Sequence, residues 1–200
     1  MSLVRPALYL ASRSPRRAAM LRTLGVDFAL LDVEIDETPR DRESPATYVT
    51  RLAREKAAAA VASAQGRPVL AADTTVVSET EIVGKPRDES DAMRILLTLS
   101  GRWHRVLTSV ALAAKTGTTI LCVETRVLFR TLSPELITRY WASGEPADKA
   151  GAYAIQGLGG AFVLRLEGSY SNVVGLPLAE TAALLEAMGI AYRLSASQVP

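Results

Sequence analysis

The run Ser12-Arg13-Ser14-Pro15-Arg16-Arg17 sets two guanidinium groups in the first turn of a helix that Ser14 caps and Pro15 opens. A helix start carries unpaired N–H groups and the positive end of the dipole, so cations there are disfavoured by about 0.3–1 kcal/mol each. A bound polyanion such as phosphate reverses that sign; the alternative is that Arg16 and Arg17 point into solvent. Lys56 raises the same question from inside a helix. At 100° per residue, with Tyr48 as origin, Lys56 falls at about 80°, between Leu52 at about 40° and Ala60 at about 120°. Arg51, Arg54 and Glu55 fall on the other side. A lysine in an apolar stripe must find an anion, lose its proton or snorkel outward.

Asp73 closes the apolar run Val69-Leu70-Ala71-Ala72, which reads as a strand buried on both faces. Ligands of open α/β sheets bind beyond the carboxyl ends of strands, where a carboxylate can hold a divalent ion, orient water or act as general base. A turn-capping aspartate beside Thr74 and Thr75 is the alternative. Glu34 lies on the polar side of an alternating stretch, either solvated or a second carboxylate for a metal. Lys85 sits in the tight loop Gly84-Lys85-Pro86. Lys149 and Gln156 lie in the glycine-spaced segment 148–160, which is no Walker loop because no Lys-Ser/Thr pair follows its glycines. Those glycines either bring backbone close to a ligand or make turns. His104 and Cys122 fall in strand patterns and read as packing or edge residues rather than nucleophiles.

The elements that must hold these groups alternate in type. Strands are expected at 7–11, 31–35 and 69–72, and helices at 15–24, 44–64 and 88–99. A long hairpin follows, 105–114 with 119–130, turning at Lys115-Thr116-Gly117-Thr118. Then come a helix at 134–142, short strands around 162–166, a helix at 178–188 and a last strand at 191–194. Strands alternating with helices, plus a hairpin, predict an α/β fold with a mixed sheet.

Composition removes several function classes. With 200 residues, 48% hydrophobic and 22% charged, the chain suits one globular domain and not a disordered or fibrous one. One cysteine and one histidine exclude an internal disulfide framework, a multi-cysteine zinc site and a histidine-rich metal cage. No apolar run approaches the roughly 20 residues that span a bilayer, and the N-terminus lacks a secretory pattern, so a soluble cytoplasmic protein is expected. A net charge of +2 with no basic block gives no support to nucleic-acid binding. Only four of the 23 basic residues are lysine, which marks Lys56, Lys85 and Lys149 for attention.

Taken together, these segments resemble the Maf family of nucleoside triphosphate pyrophosphatases. The motifs are LYLASRSPRR (8–17), LAREKA (52–57), AADTTVV (71–77), GKPRD (84–88), LSGRWH (99–104), GEPADKAGAYAIQGLGG (144–160) and YSNVVGLPL (170–178), in family order over nearly the whole chain. The resemblance implies a single Maf-like domain over 1–200. Its mixed, strongly twisted central sheet would carry helices on both sides and divide two lobes around a deep cleft, as in the Maf/ITPase-like fold, usually in a homodimer. It implies hydrolysis of a nucleoside triphosphate to the monophosphate and pyrophosphate with a divalent cation, Mg²⁺ or Mn²⁺. Asp73 matches the position of the proton acceptor, and Arg16, Thr74 and Gln156 match positions tied to substrate choice. Ser12, Arg17, Glu34, Lys56, Lys85 and Lys149 fall on or near cleft positions. The AIQG form around Gln156 is similar to the branch acting on dTTP and UTP. Arg13 and Ala154 depart from the commoner residues at their positions. The rival readings are a pyrophosphatase for 7-methyl-GTP or non-standard purines, and a nucleotide-binding regulator of septum formation.

The chemistry fits what the resemblance implies. Cleavage between the α- and β-phosphates builds charge on a pyrophosphate leaving group, which Arg16, Arg17, Lys56, Lys85 and a cation could stabilise. Glu34 and Asp73 are the expected metal ligands, with Asp73 also orienting or deprotonating water. A Gln156 amide offers the donor and acceptor that match the O4 and N3–H edge shared by uracil and thymine. The methyl that separates those bases is worth roughly 1–3 kcal/mol, so one pocket can take both.

Overall fold

Local signals act where the sequence places them. In the computed structural model, which describes residues 6–195, β1 (Leu8–Ala11) leads into α1 (Pro15–Thr23), whose cap Ser14 accepts from Arg17 N at 3.5 Å. Gly25, at φ +72°, turns the chain out of α1. β2 (Phe28–Leu31) and α2 (Pro45–Val61) follow; Ser44 Oγ caps α2 by accepting from Thr47 N at 3.2 Å. Then come β3 (Val69–Ser78), β4 (Glu81–Val83), α3 (Glu89–Leu99) capped by Asp88, and the hairpin β5 (Trp103–Ala114) and β6 (Gly117–Phe129). The chain ends through α4 (Pro134–Ala142), β7 (Val163–Glu167), α5 (Tyr170–Val174) and α6 (Leu178–Ala187). Hydrogen bonding orders the strands β2-β1-β3-β5-β6-β7, with β4 on β3. β1 runs parallel to both β2 and β3, whereas β3–β4 and β6–β7 are antiparallel, so the sheet is mixed.

Four expectations are corrected. The strand expected at 31–35 ends at Leu31, because β1 pairs with Phe28–Leu31 and then stops at Ala11, leaving 33–35 without a ladder. The burial alternation nevertheless continues: Val33 and Ile35 are partly buried and Glu34 and Asp36 exposed. β3 does not end at Asp73 but runs five residues further, so Asp73 lies mid-strand. Residues 191–194 form no strand; Arg193 N donates to Leu24 O at 2.8 Å, and Tyr192 sits in the core at 7% exposure. The glycine-spaced segment, read as loop, winds into 3-10 turns at Glu145–Asp148, Ala150–Ala152 and Leu158–Phe162. Among the described residues no helix is long and apolar enough to cross a membrane.

The chain divides into two compact units, with the division inside β3 between Asp73 and Thr74. The first takes the described residues up to Asp73, Ser109–Cys122 and those from Gly175 onward. Its strands are covered on one face by α1 and α6 through Leu8, Leu10, Leu70, Ala72, Leu21 and Leu185. On the other face α2 packs through alanines, with Ala53, Ala57 and Ala60 meeting Ala11, Ala71 and Ala111. The second unit, Thr74–Thr108 and Val123–Val174, has its own core of α3, α4 and the aromatics Phe129, Tyr140, Tyr153 and Phe162.

Candidate active site

In the first unit, alternation along β3 decides where Asp73 points. Leu70 and Ala72 pack toward α1 and α6, whereas Val69 and Ala71 pack toward α2; Asp73 shares their parity. On α2, Lys56 is three residues from Ala53 and four from Ala60, hence on the same helix face. Because short alanines line that contact, the lysine reaches the strand: its ammonium stands 2.6 Å from Asp73 Oδ1. It also stands 2.7 Å from Glu37 Oε1. Lys56 therefore finds anions instead of snorkelling, with its side chain 13% exposed and that of Asp73 10%. Burial raises the Asp73 carboxyl above its ordinary value, while the Lys56 and Arg17 charges pull it back.

The β1–α1 turn supplies the neighbouring cations. Arg17 Nε donates to Gly175 O at 2.9 Å and its Nη1 to Ser12 Oγ at 3.4 Å, so Ser12 and Gly175 hold the guanidinium. Ser12 Oγ also accepts from Ser14 N at 3.1 Å. Burial lowers the Arg17 guanidinium from its usual value, with Asp73 opposing. Arg16 is partly buried on the same turn. The structure thus supports neither arginine as a freely solvated side chain.

Glu34 lies elsewhere in this unit. Its carboxylate is 80% exposed and bonded to Arg13 Nη1 at 3.0 Å. The carboxylate at Lys56 is Glu37, which sequence reading missed. No local signal separates Glu34 from Glu37: both are exposed, Glu37 with its side chain at 49%, and the alternation of Val33 and Ile35 does not continue to Glu37. The segment that carries Glu37 has no regular structure and is held by α2. Tyr48 Oη donates to Glu37 O at 2.9 Å, and Arg51 Nη2 to Thr38 O at 3.1 Å. Burial, with Asp73 and Glu37 adding, pushes the Tyr48 phenol up to about 12. Among the described residues no three His, Cys, Asp or Glu side chains are grouped to hold a metal; Glu37 and Asp73 form a pair.

The second unit holds the other expected residues. Thr74 Oγ1 lies 2.9 Å from Thr108 Oγ1. Lys85 is exposed, and Lys149 is bonded to Asp148. Gln156 is exposed in a turn closed by Gly157 N donating to Ala154 O at 3.1 Å. Beside that turn stands a second group missed from sequence: Glu145 Oε1 accepts from Tyr140 Oη at 2.7 Å and Gly159 N at 2.9 Å, and its Oε2 from Leu158 N at 2.9 Å. His104, 2% exposed, packs edge-on to Phe129 and Tyr153, which agrees with a packing role. Cys122 is exposed on β6.

The family model described as "Maf-like protein" matches residues 7–188. A dTTP/UTP pyrophosphatase of Hahella chejuensis (strain KCTC 2396) is 56% identical over 189 residues, covering 93% of this chain and 94% of its own. One from Methylobacillus flagellatus is 50% identical over 186 residues, covering 92% and 94%. Another, from Myxococcus xanthus, is 54% identical over 183 residues, covering 92% and 93%. A family match over nearly the whole described length, with relatives at this identity, means that the chain belongs to the Maf family.

Proposed function

We propose that this protein is a nucleoside triphosphate pyrophosphatase that hydrolyses dTTP and UTP to the monophosphate and pyrophosphate. The observation that carries the reading is the Asp73–Lys56–Glu37 cluster, in a chain 50–56% identical to proteins bearing that activity in their names. Water attacks the α-phosphorus while the bond from that phosphorus to the bridging oxygen breaks and pyrophosphate leaves. Asp73 takes a proton from the water as general base. Lys56 keeps the two carboxylates from repelling each other and the phosphates. Ser12, Arg16 and Arg17 at the start of α1 supply donors and positive charge for the polyphosphate.

A divalent cation suits the donor set. Mg²⁺ is usually bound by one or two carboxylates completed by phosphate oxygens and water. Asp73 and Glu37 would hold it; the solvent position of Glu34 and its bond to Arg13 favour Glu37 as the second ligand. Bound there, Mg²⁺ or Mn²⁺ would neutralise phosphate charge. Thr74, Lys85, Lys149 and Gln156 belong to the same reading as phosphate and base contacts, as do the homodimer that the family resemblance implies and the cytoplasmic setting expected from the sequence.

The test is product analysis. Purified protein is incubated with dTTP, UTP, dCTP and 7-methyl-GTP in Mg²⁺ or Mn²⁺, and the products are separated. TMP or UMP with pyrophosphate is the expected result. Diphosphate with orthophosphate overturns the reaction, and preference for 7-methyl-GTP overturns the base assignment.

A further inference from the structure

We propose that Glu145 and Tyr140 are positioning residues for base specificity, clamping on both sides the turn from which Gln156 projects. The inference rests on the reading of Gln156 as the base-contacting amide. On the near side of Gln156, Ala154 N donates to Tyr140 Oη at 3.1 Å. On the far side, Leu158 N and Gly159 N donate to the two oxygens of Glu145, each at 2.9 Å. The two halves are joined because Tyr140 Oη donates to Glu145 Oε1 at 2.7 Å. Tyr140 is itself fixed, 4% exposed and edge-on to Phe162 with ring centroids 4.8 Å apart. Gln156 thus stands at the tip of a turn whose two ends are tied to one carboxylate and one phenol.

The glycine spacing of this segment follows from the clamp. A Cβ on Gly157 would run into the Glu145 carboxylate, and one on Gly159 would lie 2.7 Å from Tyr140 Oη and 2.9 Å from Ala154 O. Both positions therefore need glycine so that backbone can close on Glu145 and Tyr140, with no ligand required to explain them. Glu145 is well matched to this role: three donors compensate for its burial and keep its carboxyl below the ordinary range.

A clamp is needed because an amide is symmetric in reach. Turned one way, it matches the O4 and N3–H edge of uracil and thymine; turned over, it matches the N4–H and N3 edge of cytosine. Which edge is preferred depends on the distance and angle at which the amide meets the base, so the backbone point from which Gln156 projects must be held, and such sites tolerate about 0.5 Å of displacement. Glu145→Gln replaces an accepting oxygen by a donor that cannot take an N–H. Tyr140→Phe deletes the hydroxyl that joins the two halves while keeping the ring in its seat.

The experiment measures kcat/KM for dTTP, UTP and dCTP with wild-type protein, Glu145→Gln, Tyr140→Phe and Gln156→Ala, with a thermal melt of each. Both clamp variants, like Gln156→Ala, are expected to lose about tenfold in preference for dTTP and UTP over dCTP, mainly through KM. Should Glu145→Gln fail to fold, Tyr140→Phe carries the test. If all three nucleotides lose the same factor, or if the preference survives in the clamp variants while Gln156→Ala abolishes it, the clamp is only structural and the inference is overturned. Preference retained by Gln156→Ala removes the base-reading amide and the inference with it, while the pyrophosphatase reading still stands or falls on the wild-type products.

Discussion

Arg51 and Glu43 are locked by two parallel hydrogen bonds, Nε to Oε1 and Nη2 to Oε2, each 2.7 Å long. Their side chains are only 10% and 5% exposed. The helical wheel puts Arg51 opposite the apolar stripe of α2, where solvent is expected. That face is instead covered by the segment bearing Glu37, which Arg51 also holds through Thr38 O at 3.1 Å. The pair thus ties the irregular chain between β2 and α2 to the helix that delivers Lys56.

Arg51→Met is expected to lower both the melting temperature and kcat, because Glu43 loses its partner and Thr38 its anchor. Arg51→Met/Glu43→Leu, which leaves no orphaned charge, should melt higher than Arg51→Met without recovering kcat. Arg51 also pulls the Glu43 carboxyl down to about 2 from 4.5. The stability it confers is therefore present above pH 4.5 and lost as pH falls toward 2. A kcat unchanged in both variants would show that the segment does not depend on this anchor.

Asp73→Asn should lower kcat by about 10²–10⁴-fold, the usual worth of a general base, with triphosphate affinity kept within a few-fold by equilibrium binding. In the metal-free protein burial raises the Asp73 carboxyl above its ordinary value. The stability effect has the opposite sense to that of Glu43. The folded chain holds this proton more tightly than the unfolded chain, so the contribution is present at low pH and lost as pH rises through the raised pKa. The stability of Asp73→Asn relative to wild type should then grow with pH. Normal turnover by the variant would end the assignment of Asp73 as the base.

Much of this was legible in the sequence, and the misses share a cause. Caps at Ser14, Ser44, Asp88 and Ser133 and the apolar face of α2 are local, so the helix starts and the inward placement of Lys56 followed from neighbours alone. Asp73 was marked by its type but misplaced at a strand end, because polar Asp-Thr-Thr looks like a turn when its burial comes from packing elsewhere in the chain. Glu34 and Glu37 are both exposed and no local pattern tells them apart, since nothing local says where a strand loses its partner. The roles of Arg51 and Glu145 depend on covering segments or folded turns, which local periodicity does not report.

Thr108 tests a buried relay in the second unit. Its hydroxyl donates to Asn172 O at 2.8 Å, which uses its only proton, so Thr74 Oγ1 must donate to Thr108 Oγ1 at 2.9 Å. Thr108→Val has nearly the same shape and removes both bonds. Leaving the Asn172 carbonyl without this donor should cost about 1–3 kcal/mol by urea denaturation. It should also raise KM for dTTP, because the Thr74 hydroxyl loses its contact with Thr108. An unchanged KM would separate Thr74 from substrate choice.

His104 sets an acid limit on the fold. Its ring is 2% exposed, Nε2 lies 2.9 Å from Tyr153 Oη, and Nδ1 has no hydrogen-bond partner among the described residues. Protonation would place an unpaired N–H and a charge among aromatic rings, so burial lowers the imidazole from 6.5 to about 4. The folded chain binds this proton less readily than the unfolded chain. The stabilisation is therefore complete above pH 6.5 and disappears as pH falls to about 4. Its size is about 3 kcal/mol, from the free energy attached to such a displacement in pKa. His104→Phe/Tyr153→Phe removes the imidazole and the hydroxyl together, leaving no buried polar atom orphaned. Urea denaturation across that pH range should show the wild-type decline shrinking by about that amount in the double variant. An equal decline in both proteins would mean that acid acts on the fold through other groups.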